Sequence, residues 1–120
     1  MVTALMVSPG GHPEVTQLVD DRKYLDCAVS RDTDYPLTAA VLQVEPGIVA
    51  IHSYEGSVCG TAPNRQIGKR IVDGTFYIVG VNAGKLRSLT DEEVVTYTFL
   101  FWEPEFFAED EVIEAWVENL

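Results

Sequence analysis

Chemistry in this chain would have to start from a short list of side chains: His12 and His52, Cys27 and Cys59, and the basic residues Arg65, Lys69 and Arg70 beside Asn64. Zinc sites use short paired spacings of His and Cys. The two histidines and two cysteines have none, so no metal and no cofactor is expected. Nucleophilic catalysis needs Ser or Cys in a strained turn with a base beside it. The nearest candidates, Ser57 and Cys59 after His52, read as a loop hydroxyl and a loop thiol, and His52 as a partly buried, hydrogen-bonded strand histidine. With 19 acidic residues in 120, accidental carboxylate pairs are inevitable and none marks an acid–base site. The expectation is a protein without catalytic residues.

Two charged features remain. Asn64, Arg65, Lys69 and Arg70 form an isolated basic cluster in an acidic protein, and an arginine there can grip a carboxylate or phosphate bidentately. They make the stretch Tyr54–Arg70 a candidate site for a small anionic ligand or nucleotide. The competing reading is that Arg65 pins a long loop to the body through backbone carbonyls or an acidic side chain. The glycine spacing, Gly56, Gly60 and Gly68, resembles no phosphate-binding loop.

The second feature is an acid excess at one end. Of the net charge of −11, almost all comes from residues 88–120, which hold ten carboxylates and no cation: Asp91, Glu92, Glu93, Glu103, Glu105, Glu109, Asp110, Glu111, Glu114 and Glu118. Such a face repels nucleic-acid phosphates and anionic membranes and suits a basic partner. An interaction protein docking on a basic, nucleic-acid-binding protein is therefore the preferred functional expectation, and the anion-binding module its alternative.

Composition fits a folded carrier for either feature. The apolar fraction of 47% against 22% charged residues is too core-rich for a disordered chain, and 120 residues suit one domain. No window approaches a membrane span and Met1–Gly11 lacks the look of a signal peptide, so a cytoplasmic location is expected.

The elements that must position these residues can be read from periodicity and punctuation. Ala4–Ser8 and Val15–Val19, separated by Pro9-Gly10-Gly11, read as an opening hairpin. Asp20–Ser30 has helical spacing, with Asp20 or Asp21 as N-cap. Leu37–Val44 and Ile48–Ser53 read as a second hairpin through Pro46-Gly47, and Tyr54–Lys69 as an extended loop. Ile71–Val81 is apolar on both faces and reads as a central strand, able to self-associate if one face stays uncovered.

Thr90 and Glu93 form a capping box, with Leu89 and Val94 as a hydrophobic staple, so Asp91–Phe101 is expected to be helical despite its strand-like Val-Val-Thr-Tyr-Thr-Phe run. Being apolar nearly all round, that helix should be covered by more than one neighbour. Ala108–Asn119 reads as a second helix, with Val112, Ile113, Trp116, Val117 and Leu120 on one stripe. The predicted fold is α+β: a mainly antiparallel sheet of about five strands with the two C-terminal helices packed on one face, and a homodimer as one possible assembly.

Val7-Ser8-Pro9-Gly10, Pro13-Glu14-Val15, Glu55-Gly56, Pro63-Asn64-Arg65, the run Gly74–Gly80, Ser88-Leu89-Thr90-Asp91-Glu92 and Pro104-Glu105-Phe106 occur in an order and spacing that resembles a bacterial and phage domain-of-unknown-function family numbered 3846. The resemblance spans about residues 4–106 and is most specific at Pro63-Asn64-Arg65 and Gly74–Gly80. It implies an accessory protein of phages, prophages or mobile elements, and it supplies no activity or catalytic residues.

Overall fold

A computed structural model describes residues 1–56 and 60–107. The expected α+β class is correct. Elements run β1 Val2–Val7, β2 Glu14–Leu18, α1 Arg22–Val29, β3 Ala39–Glu45, β4 Ile48–Ser53, β5 Pro63–Ile67, β6 Arg70–Asp73, β7 Phe76–Asn82, β8 Lys85–Arg87 and α2 Asp91–Leu100. Strands β2-β1-β7-β4-β3 lie in that order in an antiparallel sheet, with β8 on β7, while β5 and β6 form a separate hairpin.

Most elements follow the sequence signals. Both hairpins form, the second across Pro46-Gly47, where Gly47 takes the positive φ (82°) that this turn asks of its second central residue. Asp21 caps α1 by accepting from the Tyr24 amide at 3.0 Å. Thr90 and Glu93 close the capping box of α2 in both directions.

Two expectations fail. The stretch Tyr54–Lys69 is not one extended loop, because residues 63–67 pair with β6. Nor is Ile71–Val81 one strand: the chain turns at Gly74, leaving β6 in the small hairpin and β7 in the main sheet. Strand β7 is nevertheless central and buried on both sides, with Ile78 and Val79 fully covered, so it offers no free face for self-association.

Alternation along the strands divides the core in two. On one face Leu5, Val7, Ile48, Ala50, Phe76 and Ile78 meet Val72 of the hairpin and Tyr97 and Phe101 of the α2 segment. The opposite face gathers Ala4, Leu18, Val49, Ile51, Tyr77 and Val79 around Val29 of α1 and Leu37. The first C-terminal helix thus joins one face. The second, expected over Ala108–Asn119 with Glu109, Asp110, Glu111, Glu114 and Glu118, lies outside the described residues, so two helices on one face are not established.

One close approach ties β7 to α2. Arg87 donates to both carboxylate oxygens of Glu93 at 2.8 and 3.0 Å and to the Gly47 carbonyl at 3.3 Å. Its stem crosses Gly80 so tightly that a Cβ there would stand 2.6 Å from Arg87 Cγ and 2.5 Å from Nη1. Gly80→Ala is expected to expel the arginine and cost about 1–3 kcal/mol in urea denaturation. The same substitution in an Arg87→Ala background should cost clearly less, because the two changes remove one arrangement.

Candidate functional site

Asn64 and Arg65, the centre of the expected anion site, are both fully buried. Strand β5 carries them between the main sheet and α2. Arg65 donates through Nε and Nη2 to the Phe101 carbonyl at 3.2 and 2.9 Å and through Nη2 to the Gly11 carbonyl at 2.6 Å. Its Nη1 donates to Asn64 Oδ1 at 2.8 Å and to the Asn64 carbonyl at 3.5 Å. Five contacts match the five N–H groups of a guanidinium. The Asn64 amide in turn donates to the carbonyls of Val7 and Gly74, each at 2.8 Å.

This is a clasp, with no donor left for an anion. Burial lowers the Arg65 pKa and the Glu105 charge acts in the opposite direction, but an arginine stays protonated through the physiological range. Lys69 and Arg70 do not join the clasp; they are exposed at the tip of the β5–β6 hairpin. The four residues expected to act together are therefore split between an internal tie and an outer turn.

The other sequence candidates are as scattered. His52 is buried, its Nδ1 paired with the Ser53 carbonyl at 2.9 Å, so Nδ1 carries the proton. Burial lowers its pKa, the Ser53 bond works against that, and the Arg70 charge adds to the lowering. His12 stacks on Trp102 with ring centroids 4.0 Å apart. Cys27 is exposed, Ser57 and Cys59 lie outside the described residues, and among the described residues no three metal-ligating side chains converge.

What the clasp does position is α2. Its C-terminal carbonyls carry partial negative charge and its own last turn has no cation, so Arg65 supplies one from β5. At the N-terminus Arg87 holds Glu93, whose pKa falls to about 2 through that pairing and the Thr90 amide bond. Tyr97 reaches inward and its hydroxyl donates to Glu45 on β3. Anchored at both ends and on one side, the helix turns its other side outward.

That outward side is apolar. Val95 is 69% exposed and Phe99 85%, and Leu100, Trp102 and Phe106 are exposed with them. Val94, Val95, Thr98, Phe99, Trp102 and Glu103 line an open groove of about 670 Å³. The expectation that more than one neighbour would cover this helix is not met among the described residues. His12 braces the groove wall, its Nδ1 bonded to the Trp102 carbonyl at 2.7 Å.

The acidic residues sort around this groove. Glu93 is committed to Arg87 and the helix cap, and Glu105 accepts from the Gln66 amide at 3.1 Å. Asp91 and Glu92 stand exposed at one end of α2 and Glu103 at the other. The charged residues of 91–105 therefore make an acidic margin on an apolar groove, and not a continuous carboxylate array. Composition showed the charge; nothing in it showed that, among the described residues, an apolar face would stand exposed between the charges.

Comparison with models of known families, with curated proteins and with solved structures finds no match for this chain. No helix among the described residues is long and apolar enough to cross a membrane.

Two predictions test the anchoring. Arg65→Ala should cost about 3–5 kcal/mol in chemical denaturation, since it orphans three buried acceptors, and Arg65→Lys should recover little because an ammonium cannot fork between them. Because the Glu93 pKa is depressed in the folded state, its contribution is complete above the ordinary 4.5 and is lost as pH falls from there through about 2. Glu93→Gln should flatten that segment of the stability profile, read as denaturation midpoint against pH.

Proposed function

We propose that this protein is a non-enzymatic interaction module whose docking surface is the outward face of α2, and that its partner is an amphipathic segment of a basic protein. The observation that carries this reading is the combination of exposed Val95, Phe99 and Trp102 in one groove with Asp91, Glu92 and Glu103 at its ends. A soluble protein rarely leaves such apolar side chains contiguous without a use. Grooves of this kind take helices that insert anchors one turn apart.

Charge selects the occupant. Residues 88–107 hold five carboxylates and no cation, so a segment with Lys or Arg flanking its apolar anchors gains attraction where an acidic one meets repulsion. Nucleic acid is disfavoured as a direct ligand for the same reason. Basic nucleic-acid-binding proteins of a host cell are the partner class that the phage and mobile-element resemblance would supply. The second copy needed for a homodimer carries the same acidic margin and meets like charge.

The test uses two synthetic helical peptides with identical Leu positions, one with Lys and the other with Glu at the flanking sites. The Lys peptide should bind, shift Trp102 fluorescence and weaken as salt rises, while the Glu peptide should not. Phe99→Glu should abolish binding with a stability change within about 0.5 kcal/mol, since the ring is exposed. Equal binding of both peptides, undiminished binding by the Phe99→Glu protein, or loss of the groove through self-association in sedimentation would overturn the reading.

A further inference from the structure

On the opposite side of the sheet from α2, α1 leans over β3 and β4 and leaves a hollow beside β1 and β2. Tyr24, Cys27 and Ala28 fall at i, i+3 and i+4 of α1 and form its helical wall, continued by Arg31 in the turn after the helix, facing Thr16, Gln17 and Leu18 of β2, with Met6 and Tyr77 beneath. The space is about 440 Å³, within the range of small-molecule sites.

Its ends are bridged from the helix side. Tyr24 Oη donates to the Gln17 carbonyl at 3.2 Å at one end, and at the other Arg31 Nη1 points to Met6 Sδ. Tyr77 Oη donates to the Ala28 carbonyl at 3.0 Å. Both phenol protons are thereby used on backbone carbonyls. The strong donor that remains in the hollow is the Arg31 guanidinium, which meets the Met6 thioether, a weak acceptor, and the Tyr77 hydroxyl oxygen, and has further N–H groups to offer. Among the described residues no carboxylate pairs with it.

We infer that this hollow is a binding site for a small organic monoanion, a carboxylate on a planar apolar body, with Arg31 as the anion anchor and Met6, Leu18 and Tyr77 as the apolar floor. The carboxylate accepts two parallel guanidinium N–H bonds, a match that arginine makes better than any other side chain. The ring lies on side chains that offer sulfur and aromatic contacts. A free phosphate fits poorly, because one cation and no cluster of backbone amides faces the space. This site shares no side chain with the α2 groove, so the two readings stand or fall separately.

Cys27 gives the test a built-in reporter, since its thiol is exposed on the wall of the hollow. The rate at which a maleimide labels Cys27 is followed by peptide mass spectrometry in the presence of benzoate, benzamide or inorganic phosphate. Benzoate should protect saturably at millimolar concentration, with benzamide and phosphate at least about tenfold weaker. Arg31→Gln, a change at an exposed residue, should weaken benzoate protection by about tenfold or more while leaving the unlabelled protein's urea midpoint in place.

Amide NMR shifts at Gln17, Ala28 and Arg31 on adding benzoate give a reading independent of the thiol. Absence of saturable protection together with unmoved amides overturns the site. Benzamide as effective as benzoate, or Arg31→Gln without effect, overturns the anion anchor. Phosphate as effective as benzoate overturns the apolar floor.

Discussion

The arrangement of this protein depends on one buried cation. Arg65 is withdrawn from water with no carboxylate in contact among the described residues, and removing a guanidinium from solvent costs several kcal/mol. What offsets that cost is complete satisfaction of its N–H groups by neutral acceptors whose dipoles point at it. One of those acceptors, the Phe101 carbonyl, sits at the C-terminal end of α2, where the helix dipole adds negative potential. Residues 11, 65 and 101 are far apart in sequence, and a single side chain fixes their separation. Asn64 extends the tie to the end of β1 and to the turn between β6 and β7. Exchanging either residue for a smaller or purely apolar one removes the donor these carbonyls now have.

From that tie follows the unusual freedom of α2. A surface helix normally secures itself by burying an apolar stripe and wetting the rest. Here apolar residues occur on nearly every side, so hydrophobic burial alone would not choose a unique rotation. Polar anchors choose it instead: the capping box and Arg87 at the first turn, the Tyr97 hydroxyl on Glu45 at the middle, and Arg65 at the last carbonyls. With orientation set in this way, Val95 and Phe99 are held outward, and among the described residues no neighbour buries them.

Much of the scaffold was legible in the sequence because local chemistry and tertiary structure agree there. The Thr90–Glu93 box overrode the strand-like run that follows it, and the Pro46-Gly47 turn sits between strands of the expected phase. The reading broke where a residue's role is set by distant partners. Pro63-Asn64-Arg65-Gln66-Ile67 looks like loop composition, yet its backbone pairs with β6 as a strand, and Arg65 within it finds acceptors 54 and 36 positions away. The stretch from Ile71 to Val81 contains Asp73-Gly74 between its two apolar runs, and the turn there sends its two halves to different sheets. The exposed face of α2 was unreadable for the opposite reason: the sequence gives no sign of which apolar positions find no neighbour among the described residues. The hollow beside α1 has no signature in the sequence because its members come from four elements and the turn after α1, and only Tyr24, Cys27 and Ala28 have a spacing that sequence could display.

The two candidate surfaces lie on opposite sides of the central strand, which makes their independence a structural matter. Phe76 and Ile78 face the core beneath α2, whereas Tyr77 between them faces the hollow under α1. Coupling across a sheet requires an element with two arrangements that both ligands bias. Strand β7 is a poor candidate for such an element. It is paired on both sides, its central residues are fully covered, and a slip of one residue would exchange its two faces and undo both cores at once. A sheet built in this way serves as a partition, so that occupation of one face leaves the geometry of the other in place.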